Sequence, residues 1–448
     1  MGRDKDMVAT EENKLRFMND LARQDVNDRH SLVQTVSCSN DPMRRFWAEG
    51  IPYTTDDDQL LNRLQHVQQL LEWAYGFRYP KYPEQRFTRR SPSAGGLYPT
   101  EIFISVKTIK DCLVLYYHFV THEFYRVPVV ESRWIMHELG LADGIDAIIL
   151  TSVFWRSVQR YGVRGYRYCL LDAANVASNL IFMAHSLDPN LEITLHSPSA
   201  RLEKSLDLCD SEGAILVIGL KQKRTVPYTY IPSTVSPFPS AHKKAIEDIP
   251  SLSPALNRVL SFHRKTLLPS KALKSKCPRL AKTSAEEACM LADKRYSARD
   301  FTGQYLEASQ YERMVEAAIH FPQIITRGIP TIEVQSLNKI TNGLVEACQK
   351  QSILTHSAFA LVFVTNKRDL AVAGYVGYRS IVLNVGFICA ALYREAARCS
   401  IGTTTIGGFS DCEVSNFLGN TAIQPIAIQS FGVSVCHGDK ADATSKYI

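Results

Sequence analysis

Two segments constrain this chain more than any others. Leu170 to Leu187 and Val382 to Ala397 each have the length of a helix and are apolar on nearly every face. Such a helix needs cover all round, so it belongs at the centre of a domain or in an interface between domains. The stretches before them echo one another: Tyr161-Gly162-Val163-Arg164-Gly165-Tyr166-Arg167 before the first, Tyr375-Val376-Gly377-Tyr378-Arg379 before the second. Each helix is followed by a buried strand, Ala214 to Leu220 or Ile426 to Val435. The order polar helix, strand pair, buried helix, terminal strand therefore occurs twice. This reads as a duplicated α+β domain, each copy packing helices on a mainly antiparallel sheet.

The length of 448 residues is too great for one ordinary core and agrees with two domains. The boundaries expected are an N-terminal extension over 1–45, a first domain over 46–222, a connector over 223–282 and a second domain over 283–448. The extension is polar and helical in part, from Glu11 to Arg23. The first domain holds an amphipathic helix, Leu60 to Tyr75, stopped by Gly76. Strands are expected at Thr100 to Val106, Cys112 to Tyr117, Phe124 to Val127 and Ile145 to Phe154. The connector carries Pro227, Pro232, Pro237, Pro239 and Pro250 among Ser, Lys and Arg, and reads as an extended strap with a short helix. The second domain has a helix before Lys294, another at Ser309 to Ala318, and strands at Thr331 to Leu337 and Phe359 to Val364.

With 45% hydrophobic and 21% charged residues the chain is a soluble globular protein. Its net charge of +6 is too mild to point to a nucleic-acid partner. The 11 cysteines are scattered singly with no CxxC pair, and the histidines show no metal spacing, so neither a disulfide framework nor a metal site is expected. No apolar run reaches the roughly 18 residues of a membrane span, and the charged start is unlike a signal peptide. Cytoplasmic residence is the expectation.

Three loops carry the chemistry. Arg89-Arg90-Ser91-Pro92-Ser93-Ala94-Gly95-Gly96-Leu97-Tyr98-Pro99 joins a basic pair to hydroxyls, glycines and a strand. Gly95 and Gly96 permit close backbone approach to a ligand; the plain alternative is a Gly/Pro turn before a strand. Arg295 and Arg299 are spaced i, i+4 around Ser297, so on a helix or tight turn they share a face and suit a phosphate; the alternative is a solvated basic helix end, with Ser297 an N-cap. Ile406-Gly407-Gly408 offers backbone N–H groups to a planar ligand, or is a plain turn. Asn179, inside an apolar helix, needs a hydrogen-bonding partner, either a cofactor or the other half.

The stretch from Arg90 to Val106, with Tyr161 to Asn179 (Tyr-Gly-x-Arg-Gly-Tyr-Arg-Tyr into Leu-Leu-Asp-Ala), resembles the SagB-type dehydrogenases of the flavin-dependent nitroreductase superfamily. Lys294 to Phe301 resembles the superfamily's first motif, basic–x–Ser–x–Arg–x–Phe, and Gly402 to Phe409 its glycine-rich loop after the central helix. The resemblance implies an α+β dimer fold holding FMN at the subunit interface, here built as a pseudo-dimer of the two tandem halves. The halves are degenerate in complementary places. The first keeps Pro92 to Gly96, but its equivalent of the first motif, within Ser31 to Phe46, is hard to recognise, and its late loop is Thr194 to Ser199. The second keeps Arg295, Ser297, Arg299, Ile406, Gly407 and Gly408, but its small-residue loop has decayed to Pro322–Gly328. One FMN per chain follows, anchored by the second half, with Arg90, Pro92, Ser93, Ala94, Gly95, Gly96 and Asn179 contributed by the first.

The same resemblance implies oxidation of thiazoline and oxazoline rings to thiazoles and oxazoles in a peptide or carrier-bound substrate, with a cyclodehydratase as partner. Such oxidation needs a base for the ring-carbon proton beside the carbonyl. Where the family has Lys-Tyr, this chain has Arg160-Tyr161. An arginine stays protonated and is no base, which leaves Tyr161, assisted by Arg160, with Tyr166 and Tyr168 next. Two other readings stand beside it: an NAD(P)H-dependent nitro or quinone reductase, and a flavin-free scaffold of a synthetase complex. A further homodimer of whole chains is left open.

Overall fold

The computed structural model describes residues 11–22, 53–78, 88–108, 112–119, 122–127, 145–208, 211–221, 253–268, 274–278, 283–325 and 329–435. The first half contains helices α1 (Glu11–Ala22), α2 (Asp58–Tyr75), α3 (Phe154–Tyr161) and α4 (Gly165–Leu187), followed by α5 (Pro254–Thr266). Its strands are β1 (Thr100–Lys107), β2 (Cys112–His118), β3 (Glu123–Arg126), β4 (Ile145–Val153), β5 (Glu192–His196), β6 (Glu212–Lys221) and β7 (Lys274–Lys276). They form one antiparallel sheet in the order β3-β2-β1-β4-β6-β5-β7. Thus residues 274–276, assigned by composition to the connector, add an edge strand to the first sheet.

The second half contains α6 (Ala285–Lys294), α7 (Ala308–Ile319), α8 (Lys367–Arg398) and α9 (Asp411–Phe417), with strands β8 (Glu333–Leu337), β9 (Phe359–Asn366), β10 (Gly402–Ile406) and β11 (Ile423–Gly432). Their antiparallel order is β8-β9-β11-β10, which matches β1-β4-β6-β5 of the first half strand for strand. Smaller features repeat as well. A register shift between Leu150 and Thr151, where β4 meets β6, recurs between Phe363 and Val364, where β9 meets β11. Gly162 breaks the helix at φ 56, ψ −146, and Gly374 breaks α8 at φ 61, ψ −151. Both conformations are open to glycine alone, and both glycines lie three residues before a Gly-Tyr-Arg. The fold is two nitroreductase-like α+β units in one chain.

Three elements differ from the sequence reading. The strand expected to reach Phe154 stops at Val153, and Phe154 opens α3, a helix the aromatic start had disguised as more strand. The second apolar helix starts at Lys367, not Val382. Most of the supposed glycine loop, Gly402–Ile406, is strand β10, because three consecutive β-branched threonines pair well with β11. Only Gly407-Gly408 remains loop. The first-motif equivalent in 31–46 lies outside the described residues, as does most of the connector.

The apolar helices α4 and α8 pack on each other at the centre. Among the described residues α8 alone is long and apolar enough to cross a membrane, and 89% of its apolar window is buried in the fold. Polar bonds cross between the halves. Arg167 of α4 donates to Tyr378 Oη (3.0 Å), to the Asp411 carboxylate (2.7 Å) and to the Pro425 carbonyl of β11 (3.1 Å). Its counterpart Arg379 donates the other way, to the carbonyls of Ala214 and Ile215 on β6. Each arginine is buried and satisfies main-chain acceptors on the opposite sheet, so the two units are locked as a pseudo-dimer.

Candidate active site

The loop from Arg89 to Pro99 is held by its own polar groups. Arg89 is buried in a cage of rings, with its guanidinium carbon 3.4 Å from the Phe119 centroid, 4.4 Å from Tyr75 and 4.5 Å from Tyr98. Arg90 stacks on Trp73 (4.3 Å) and donates to Asp293 Oδ1 (3.0 Å) and the Glu72 carbonyl (3.0 Å), tying α2 to α6. Ser91 Oγ donates to the Ala74 carbonyl (2.9 Å). Ser93 Oγ donates to Asp172 Oδ2 (2.6 Å), and the Ala94 N–H to Asp172 Oδ1 (3.2 Å). Gly95, at φ +63, lies under the end of α3: a Cβ there would meet Tyr161 Oη at 2.4 Å and Arg160 Nη1 at 3.0 Å.

The second half supplies a facing set. Arg295 follows the last turn of α6 in extended backbone, and residues 295–299 lie outside any helix, so Arg295 and Arg299 do not share a helix face. Arg295 is 5% exposed. It donates to the Arg89 carbonyl (3.1 Å) and to Ser297 Oγ (3.4 Å), while its Nε is buried without a partner. Burial pushes its pKa down to about 10, and the neighbouring Arg78 guanidinium adds to the effect. A buried cation without a carboxylate is a place for an anion. Ser297 Oγ bonds Tyr393 Oη (3.1 Å), which accepts the Thr405 N–H (3.0 Å). Arg299 is exposed.

Gly407 passes so close to Tyr168 that a Cβ would stand 2.3 Å from its Cε1. Arg164 donates to the Gly407 carbonyl (3.0 Å) and Gln351 to that of Gly408 (2.7 Å), fixing both peptides. Arg164 shares the buried Asp411 carboxylate with Arg167. Burial alone would raise that carboxyl, but the two guanidiniums hold it below its ordinary value.

These walls enclose a cavity of about 1490 Å³. A single small ligand typically occupies about 300–1,000 Å³, so there is room for a cofactor and a substrate. Of the residues singled out in the sequence, Pro92, Ser93, Ala94, Gly95, Arg160, Tyr161, Ser297, Arg299, Ile406, Gly407 and Gly408 line it. Arg90, Gly96 and Arg295 do not line it. Asn179 bonds across the halves instead, donating to Ser91 Oγ (2.9 Å) and accepting from Arg394 (2.8 Å). Tyr166 is fully buried against α5, its Oη 3.1 Å from His263 Nδ1.

Among the lining residues that were not candidates or stood lower, three bear on the chemistry. Tyr168 meets Tyr161 edge-on at 4.7 Å. Asp172 projects from α4, where an acid in an apolar helix was the available signal. Arg258 comes from α5, inside the supposed connector. Burial pushes the Tyr161 phenol up to about 12 despite the opposing Arg160 charge, so it is a hydrogen-bond donor at neutral pH. Burial likewise lifts the Asp172 carboxyl to about 7, against the pull of its Ser93 and Ala94 bonds.

A duplicated nitroreductase-like unit with a cavity built by both copies defines the class, and comparison with known proteins agrees with it. The "putative nitroreductase" of Methanocaldococcus jannaschii is 28% identical over 132 residues, which are 28% of this chain and 64% of that protein. The chain therefore spans less than two thirds of that relative's length. A crystal structure described as a "putative nitroreductase" from Anabaena variabilis superposes with a TM-score of 0.63 at 20% identity, covering 85% of this chain and 90% of its own. It shares the fold across both halves. An FMN-dependent nitroreductase from Clostridium difficile R20291 aligns with 35% of this chain and 95% of its own, at 17% identity and a TM-score of 0.26. No family model matches the chain.

Proposed function

We propose that this protein is an FMN-dependent oxidoreductase with one flavin per chain in the cavity between its halves. The observation that carries the proposal is the division of the walls. The first half gives Pro92 to Gly95 with Arg160 and Tyr161, and the second gives Ser297, Arg299, Gly407 and Gly408. Ser297 and Arg299 on the wall, with buried Arg295 bonded to Ser297, fit a phosphate, and the Gly407 and Gly408 peptides are fixed at the cavity edge by Arg164 and Gln351. Ser297 and Arg299 would hold the phosphate, with Arg295 charging the wall through its bond to Ser297, and Gly407 and Gly408 with the Pro92–Gly95 loop would border the ring. FMN, when bound, supplies two-electron redox chemistry.

The reaction we favour is oxidation of thiazoline or oxazoline rings to thiazoles or oxazoles, or a related desaturation, in peptide natural-product biosynthesis. Oxygen would be the final acceptor, and a cyclodehydratase would supply the substrate. Within this reading Tyr161, protonated at neutral pH, donates a hydrogen bond to the substrate carbonyl, and Arg160 stabilises negative charge developing there. Asp172 is the cavity group whose carboxylate is available near neutrality to take the ring-carbon proton.

A second reading, an NAD(P)H-dependent nitro or quinone reductase, is favoured by the names of the relatives and by Arg160 in place of a basic amine. Anaerobic mixing with NADPH separates the two. Rapid bleaching of the flavin would support the reductase and count against the oxidase. Azole formation with peroxide release in air would support the oxidase. Flavin-to-protein ratios near two would contradict the single site.

A further inference from the structure

Charge bookkeeping inside the cavity goes beyond the cofactor. Of the cations that line it, Arg164 is neutralised by Asp411 at 2.7 Å and Lys350 by Glu346 at 3.6 Å. Asp172 is engaged by Ser93 and Ala94. Arg160, Arg258 and Arg299 face the cavity without any carboxylate partner among the described residues, and all three are exposed to it. A phosphate monoester carries about −1.5 to −2 at neutral pH. Arg295 and Arg299, both from the second half, offset that charge. Arg160 and Arg258 remain, supplied by α3 and α5 rather than by the half that carries Arg295.

Position adds to the count. Arg160 Nη1 lies over Gly95, next to Tyr161 Oη, at the place assigned to the reacting carbonyl. Arg258 stands one turn into α5, whose start (Ser253, Pro254 and Ala255) forms part of the same wall. That helix packs on α3 and on the turn at Gly162 to Arg164, so the two arginines come from adjoining elements of the cavity wall. Each presents a planar donor fork suited to an oxyanion.

We propose that Arg258, with Arg160, forms an anion subsite for the substrate, so that the molecule oxidised or reduced here carries its own negative charge. A free carboxylate and the phosphodiester of a pantetheine arm share this chemistry; a neutral residue inside a peptide lacks it. This rests on the flavin reading of the cavity, and the test keeps the two apart.

The FMN-loaded full chain is titrated calorimetrically with two matched pairs, hippurate against hippuramide and pantetheine 4′-phosphate against pantetheine. Hydrogen bonds to a charged group imply a preference of about tenfold or more for the charged member, and the pair that shows it identifies the source of the anion. Arg258→Gln is expected to reduce the preference to about twofold with flavin loading, read from visible absorbance, unchanged. Equal binding of both members in both pairs would overturn the proposal, as would a preference that survives Arg258→Gln. Loss of flavin from the variant would overturn it too, by assigning Arg258 to the cofactor. Should the unaltered protein take up no FMN, the flavin reading falls, while the same titrations on that protein still decide the subsite.

Discussion

Changing Asp172 to Asn separates two jobs that one side chain performs. Asp172 clamps the Ser93–Ala94 loop through bonds of 2.6 and 3.2 Å. At the matching place in α8, Asn384 Oδ1 accepts the N–H groups of Ile324 (2.9 Å) and Ile325 (3.1 Å), and its Nδ2 returns a bond to the Ile325 carbonyl (3.0 Å). An amide therefore clamps this loop type as well as a carboxylate does. What it cannot do is titrate. Burial raises Asp172 from 3.8 to about 7. Between those values the folded protein keeps a proton that the unfolded chain has released, so this group's contribution to stability falls as pH rises and its penalty is complete above about 7. A gap of roughly three units at about 1.4 kcal/mol each sets an upper limit of about 4 kcal/mol. Urea denaturation of flavin-free Asp172→Asn and wild type from pH 4.5 to 8 reads this directly. The two should nearly coincide at the acid end, and the variant should gain about 2–4 kcal/mol at pH 8. A difference that is flat with pH, or a variant weaker at pH 8 than at pH 5, would refute a proton held by the folded state.

Other residues give sharper contrasts. Arg295→Ala should weaken FMN binding by roughly 10- to 100-fold in a flavin titration, the value of a hydrogen bond to a charged group. Arg90→Ala, which loses Asp293 and the Trp73 stack but no bond to the lining residue Ser297, should lower Tm and leave affinity nearly intact; equal losses would contradict the assignment. Gly407→Ala must displace Tyr168, given the 2.3 Å approach, and should abolish flavin retention on gel filtration. Tyr161→Phe should keep FMN and cut turnover by on the order of 10²-fold. Gly374→Ala meets no atom within 4 Å yet should cost about 1–3 kcal/mol in denaturation, since φ +61 alone is the obstacle.

Periodicity made the apolar helices, most strands and the duplication legible, because burial on all faces leaves an unmistakable run. It could not tell Tyr166 from Tyr168. Two residues apart on a helix point to nearly opposite sides, so one enters the cavity and the other packs on α5. Arg295 read as half of an arginine pair on one helix face, whereas its burial depends on Arg89 and Tyr393, both distant in sequence and invisible to local spacing. Arg258 was hidden by its surroundings, since a Pro- and Ser-rich stretch gives no hint that one of its helices walls a site. The decayed loop was legible as decay, and Ile324 and Ile325 retain its clamp with hydrophobic side chains; residues 326–328 lie outside the described part.

The duplication also bears on why one cavity is built from both halves. In the register set by Gly162 and Gly374, the cavity residue Val163 corresponds to Tyr375. The Tyr375 ring lies 5.1 Å from Phe17 of α1 and 4.9 Å from Phe262 of α5, and its hydroxyl bonds Asp20 at 2.6 Å. Tyr168, against which Gly407 rests, corresponds to Ser380, which is buried. So at the second pseudo-symmetric place the polar loop has become Ile324-Ile325 and the space beside Tyr375 is packed with rings. The packing comes from α1, which contacts α8 as α6 contacts α4, and from α5, which has no counterpart among the described residues of the second half. Phe262 lies one turn after Arg258 on α5. The same short helix thus covers the place that lost its loop and, a turn earlier, puts a guanidinium on the wall of the place that kept it. Filling one pseudo-symmetric place and walling the other are then done by one helix, so in the proposed reading a single flavin and an anion subsite both depend on α5.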